Sequence, residues 1–122
     1  MAEQASKNVA APGRDGGAFD LEALERSTQG DRALAREVLR LFDEQSDALL
    51  GEIAGSAETK ARRELAHRLN GAARGVGALA VANAAAEVEK ADEPIDAIGA
   101  LARLSVRVAQ AKLALPDLIA RY

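Results

Sequence analysis

Apolar positions recur every three or four residues along most of the chain, the period of helices that bury one face. Leu21 and Leu24 give a short apolar edge over residues 19–26, with Asp20 placed to cap it and Thr28-Gln29-Gly30 to end it. Asp31 is the next N-cap. Leu34, Val38, Leu41, Phe42, Gln45, Leu49 and Ile53 then mark a buried stripe on a long second helix, broken at Gly55-Ser56. Ser56 is placed to cap a third helix over residues 57–74, whose stripe is Ala61, Leu65, Leu69, Ala72 and Val76. Gly75 and Gly77 suit a helix stop and a tight turn. A fourth helix over residues 78–91 turns Val81, Ala84, Ala85 and Val88 inward. Asp92-Glu93-Pro94 leads into a last helix, because proline fits the first helical position. Its stripe reads Ile95, Ile98, Leu101, Ala102, Ser105, Val108 and Ala109, and Leu113, Leu115 and Pro116 close it before a short extra turn to Tyr122. Four amphipathic helices on short turns predict an all-α fold, an antiparallel up-down four-helix bundle with a short extra N-terminal helix.

Composition sharpens this picture. The chain has 122 residues, one domain by size. Residues 1–18, rich in alanine, glycine and polar side chains, read as a flexible tail, and residues 19–122 as the bundle. Hydrophobic residues make up 48%, yet only Phe19, Phe42 and Tyr122 are aromatic. Alanine fills the difference and favours closely packed helices over sheets. With no cysteine, disulfides, thiolate metal sites and cysteine nucleophiles are excluded. A net charge of −3 argues against a nucleic-acid binder. Residues 1–10 lack the pattern of a secretory signal, and no apolar stretch is long enough for a bilayer, so no membrane association and a cytoplasmic location are expected.

The chemistry concentrates on the single histidine, His67. On a helix turning about 100° per residue it falls roughly 160° from the middle of the stripe Leu65–Leu69–Ala72–Val76. It therefore points outward, which disfavours a core histidine and leaves an incidental surface histidine as the competing account. Gly71 lies one turn further on the same face. A mid-helix glycine costs about 1 kcal/mol against alanine, so clearance for an approaching partner gives it a reason, with tolerated drift as the alternative. Arg63 and Arg74 are placed to stabilise negative charge near the imidazole, although for each a solvated helix face is the commoner explanation. Glu89 and His67 lie nearly equal distances either side of the turn at Gly77-Ala78, so an antiparallel hairpin brings them level. A carboxylate accepting from Nδ1–H fixes the tautomer and frees Nε2 as a nucleophile. The alternative is that Glu89 pairs with an arginine.

The run Ala66-His67-Arg68-Leu69-Asn70-Gly71-Ala72-Ala73-Arg74-Gly75-Val76-Gly77-Ala78, with Val88-Glu89 downstream, resembles the histidine-containing phosphotransfer (HPt) domain family. Phe19-Asp20, Leu24, Gly30-Asp31, Leu34 and Leu41-Phe42 resemble its first two helices, so the likeness covers residues 19–113. One position departs: Asn70 stands where the family usually carries a lysine that helps hold the phosphoryl group. Asn70 donates hydrogen bonds but carries no charge. The resemblance implies a two-component phosphorelay carrier. His67 would accept a phosphoryl group from a receiver-domain phosphoaspartate and pass it to another receiver aspartate. Its partners would be response-regulator receivers and a hybrid histidine kinase. It would need no metal or cofactor of its own, since Mg²⁺ comes with the receiver. The chain has no H-E-x-x-H helix, which leaves no ordinary zinc site, and no phosphate-binding G-x-x-x-x-G-K-[ST] loop, which leaves no evident means to use ATP, so autonomous kinase activity is not expected. The rival reading is a non-catalytic helical module that binds a receiver or another signalling partner. A complete bundle per chain leads to the expectation of a monomer.

Overall fold

The computed structural model describes residues 17–122, so the tail expected over residues 1–18 lies outside it except for Gly17 and Ala18. Five helices follow in order: α1 (Leu21–Thr28), α2 (Arg32–Gly55), α3 (Thr59–Gly75), α4 (Leu79–Lys90) and α5 (Pro94–Ala120). Helices α2 to α5 form the bundle. Each packs on its two neighbours in a closed ring, α5 returns to α2, and the backbones of the diagonal pairs α2–α4 and α3–α5 stay apart. The short α1 lies across α2 and α3.

Local chemistry explains the ends. Asp20 accepts from the Glu22 and Ala23 amides at 3.1 and 3.3 Å, and Asp31 caps α2 through the Leu34 amide at 3.0 Å. Pro94 opens α5 at its first turn. Gly77 carries the α3–α4 turn at φ +80°, and a Cβ there would collide with the Asp20 carbonyl oxygen. Only glycine allows that approach. It lets the Asp20 amide donate to the Gly77 carbonyl at 2.7 Å and ties α1 to the turn. Phe19 and Phe42 meet edge to face at 6.2 Å between ring centroids in the core beneath α1.

The helices stand where the periodicity put them, but three of them are rotated about their axes. Helix α2 buries Ala35, Leu39, Phe42, Ser46, Leu49 and Ile53, leaving Leu34 and Leu41 exposed. Helix α3 buries Arg62, Ala66, Leu69 and Ala73, with Val76 buried just after it, while Ala61, Leu65 and Ala72 are only half-buried. Helix α5 buries Ala97, Ala100, Leu104, Val108, Ala111, Leu115 and Leu118, and exposes Ile95, Ile98, Ala102, Ser105 and Ala109. The cause is common to all three. In an alanine-rich bundle the small side chains take the closest contacts, so the larger ones sit on the flanks and mislead a stripe drawn through the bulkiest residues. Two terminal expectations are also corrected. Ser56 ends α2, and α3 starts behind Glu58 without a side-chain cap. Helix α5 runs on through Pro116, which lies on its exposed side, to Ala120.

Candidate functional site

Rotating α3 leaves His67 pointing outward. From the observed buried row of α3 the imidazole stands about 140° away. Its side chain is 75% exposed. Ala66 and Leu69, both wholly buried on either side of it in sequence, hold the helix face that fixes this direction.

Across the hairpin, α4 brings Glu89 level with the ring. Val88 and Ala85, both fully buried, seat α4 against the core and leave Glu89 at its edge, 30% exposed. Glu89 Oε2 lies 2.9 Å from His67 Nδ1. With the proton on Nδ1, the ring donates to the carboxylate and turns the Nε2 lone pair to the open face. Among the described residues the ring stands open to solvent. A groove of about 500 Å³ lies elsewhere, between α4, α5 and the segment before α1, and includes none of the site residues. A nucleophile standing exposed on a helix face suits a reactive centre delivered by another macromolecule better than a diffusible small molecule.

Gly71 lies one turn beyond His67, and a Cβ built on it meets nothing within 4 Å. The fold would accept alanine there and gain from it, so nothing among the described residues explains the glycine. Gly51 on α2 is equally free of neighbours, and what distinguishes Gly71 is its place beside the imidazole.

The remaining candidates are engaged with one another or with the loops. Arg63 forms an ion pair with Asp92 in the α4–α5 link. Arg74 donates from Nε to Asn70 Oδ1 at 2.9 Å and reaches Asn83 Oδ1 at 3.5 Å. Asn70 is therefore half-buried under a guanidinium from its own helix, and that arginine leans towards α4. Arg68 lines a groove with Gln45, Ala48, Leu49 and Glu52 on the α2 side of α3. Lys90 lies 3.7 Å from Glu87. Among the described residues Glu89 is the one side chain hydrogen-bonded to His67, and no cation is held on the ring. Asp92 and Asn83 were not singled out from sequence, because an ion pair to a loop and a cross-helix amide contact leave no periodic signal. Among the described residues no group of three or more His, Asp or Glu side chains converges in the manner of a metal site.

A family model described as Hpt domain matches residues 37–121, well over half the chain and including His67, Gly71 and Glu89. The chain belongs to the Hpt domain family. No curated protein and no solved structure matches it significantly. Hpt domains are histidine phosphotransfer modules of phosphorelays, phosphocarriers rather than kinases, and they generally engage receiver domains. The helical bundle of this Hpt domain agrees with that membership.

Proposed function

We propose that this Hpt domain carries a phosphoryl group on His67 between receiver domains, and that it has no kinase activity of its own. The observation carrying the proposal is the outward imidazole whose Nδ1 is held by Glu89 at 2.9 Å. In the accepting step the Nε2 lone pair attacks the phosphorus of a receiver phosphoaspartate. The P–N bond forms as the acyl P–O bond breaks, and the bonding pair leaves on the aspartate carboxylate. The ring becomes a cation with its proton still on Nδ1, facing the Glu89 carboxylate, which offsets the new charge. The reverse sequence delivers the group to the aspartate of a second receiver. Mg²⁺ and most of the electrostatic stabilisation belong to the receiver in this reading. The Hpt domain supplies a rigid nucleophile with room around it.

The surface beside His67 supports docking. Leu34 and Leu41 are 43% and 48% exposed. They lie on the flank of α2 that also carries Gln45 and Ala48, and this flank borders Arg68 of α3. Along α2, Leu41 lies about 10 Å and Leu34 about 20 Å from the level of Arg68, so this flank is a partly apolar surface leading up to the exposed nucleophile, which suits a protein partner. Arg74, bound to Asn70, is the nearest available substitute for the missing lysine charge, one turn beyond it. A hybrid histidine kinase upstream and a cytoplasmic location complete the proposal. Among the described residues no helix is long and apolar enough to cross a membrane.

The test is radiolabelled transfer from a phosphorylated receiver. Wild type should take up an acid-labile, base-stable label, and His67→Gln should fold alike and take up none. If wild type stays unlabelled against every receiver of its source, the domain binds without phosphotransfer.

A further inference from the structure

Helix α5 is apolar on two sides. One side fills the core. The other faces solvent and includes Ile95, Ile98, Val106 and Leu113, exposed to 78%, 70%, 54% and 83%. With Ala102, Ser105, Ala109 and Pro116, also exposed, these side chains fall within an arc of about 100°, centred roughly 150° from the buried row. No charged residue interrupts the arc. It runs the length of a 27-residue helix, about 40 Å. An uncharged strip of that length and about 10 Å width covers several hundred Å², the range in which an exposed apolar patch on a soluble protein marks an interaction site.

The order of residues along the strip identifies its occupant. Turning α5 end over end about a point between Ser105 and Val106 sets Ile95 opposite Pro116, Ile98 opposite Leu113, Ala102 opposite Ala109, and Ser105 opposite Val106. Bulky pairs fall at both ends, the small pair Ala102–Ala109 lies inside them, and Ser105 meets Val106 at the centre, so the strip is complementary to itself in the antiparallel sense. Ala102, Ser105 and Ala109 leave room for two helix axes to approach to about 8–9 Å, with the two Val106 side chains filling the centre. We propose that a second copy of this chain covers the strip, forming a two-fold antiparallel dimer through α5. Two such helices with their flanking side chains bury roughly 1,200 Å² in total, the lower end of specific interfaces. The isologous arrangement closes on itself and leaves no strip to extend a filament. Because α3 and α5 are diagonal in the ring and each turns its solvent face the other way, both His67 faces stay free in the dimer. A monomer follows from one complete bundle per chain only if α5 has a single apolar face.

Sedimentation equilibrium of the full chain tests this directly, with a monomer–dimer equilibrium expected at micromolar concentrations. A monomer at every concentration up to about 1 mM overturns the proposal. Leu113→Glu changes a side chain the fold leaves in solvent and should weaken the dimer about 100-fold, since both copies of the contact are lost. Unchanged association in that variant also overturns it. Orientation is read by cross-linking, since the chain has no cysteine of its own. Oxidised Val106→Cys should give a covalent dimer. Ile98→Cys should not, because antiparallel packing holds its two copies about 22 Å apart along the axis, far beyond disulfide reach. Efficient cross-linking at 98 refutes the antiparallel arrangement. The inference does not rest on phosphotransfer, and His67→Gln should dimerise as wild type does.

Discussion

Replacing Gly71 by alanine and by leucine separates what the helix favours from what docking requires. A Cβ at position 71 meets nothing within 4 Å, so no packing penalty opposes the gain in helix propensity, about 1 kcal/mol for glycine to alanine. In a domain of this size that gain raises the midpoint of thermal unfolding by about 4 °C. Function should move the other way. Residue 71 lies about 6 Å further along the axis than His67 and about 40° round it. Helical side chains lean towards the N-terminus, so a leucine at 71 extends back over the turn that carries the imidazole. In-line transfer needs reacting atoms within about 3.5 Å, and a displacement of 1 Å costs about 100-fold. Gly71→Leu should therefore slow single-turnover transfer from a phosphorylated receiver by about 100-fold, and Gly71→Ala by a few-fold while melting higher than wild type. Circular dichroism melts and rapid-quench transfer assays read the two quantities separately. Wild-type transfer in Gly71→Leu would refute the clearance argument, and a lower melting temperature in Gly71→Ala would refute the claim that the fold has no use for the glycine.

Other perturbations reach other parts of the account. Glu89→Gln keeps the shape but exchanges a charged acceptor for a neutral one, and should slow transfer about tenfold, with the ¹⁵N signals of the ring showing protonation redistributed between the two nitrogens; unaltered ring signals would remove the orienting role. Gly77→Ala forces a Cβ against the Asp20 carbonyl at positive φ and should lower stability by about 2–4 kcal/mol in urea titrations; a loss below about 1 kcal/mol would mean the turn relaxes freely. Hydrogen bonds to Asp43 and then Asp47 hold the Lys112 ammonium above its usual value of 10.5. That stabilisation is present below pH 10.5 and is lost as pH rises through the raised value, so Lys112→Met should show a shallower alkaline loss of stability than wild type. Burial, then Glu25, also raises the Tyr122 phenol above 10.0, and its share of the alkaline loss remains in that variant. Identical alkaline limbs would show that the Lys112 bridges contribute nothing.

Helix number and order were legible, as were the caps at Asp20 and Asp31, because these residues, Gly77 and Pro94 act through the backbone within a few residues of themselves, whereas Ser56, expected to cap α3, ends α2 instead. The level placement of His67 and Glu89 was legible for a similar reason, since a short turn fixes the register of a helical hairpin. Which face each helix buries was not. Ala35, Ser46, Ala66, Ala73, Ala97 and Ala100 fill the close contacts, and their burial depends on how near the next helix comes, which no local pattern records. On α5 the ambiguity has a further source, because the strip through Ile95, Ile98, Ala102 and Ala109 is apolar at helical spacing and yet faces solvent. The arginines were hardest to place. Arg63 and Arg74 lie close to His67 in sequence, but long flexible side chains go to the nearest acceptor, here Asp92 and Asn70.

The sole histidine makes the central claim directly measurable. After incubation of the ring-¹⁵N-labelled chain with a phosphorylated receiver, one imidazole reports the bond through its phosphorus–nitrogen coupling. The account predicts coupling to Nε2, with Nδ1 still protonated and facing Glu89. Phosphorus on Nδ1, on another residue, or nowhere on the chain would contradict it.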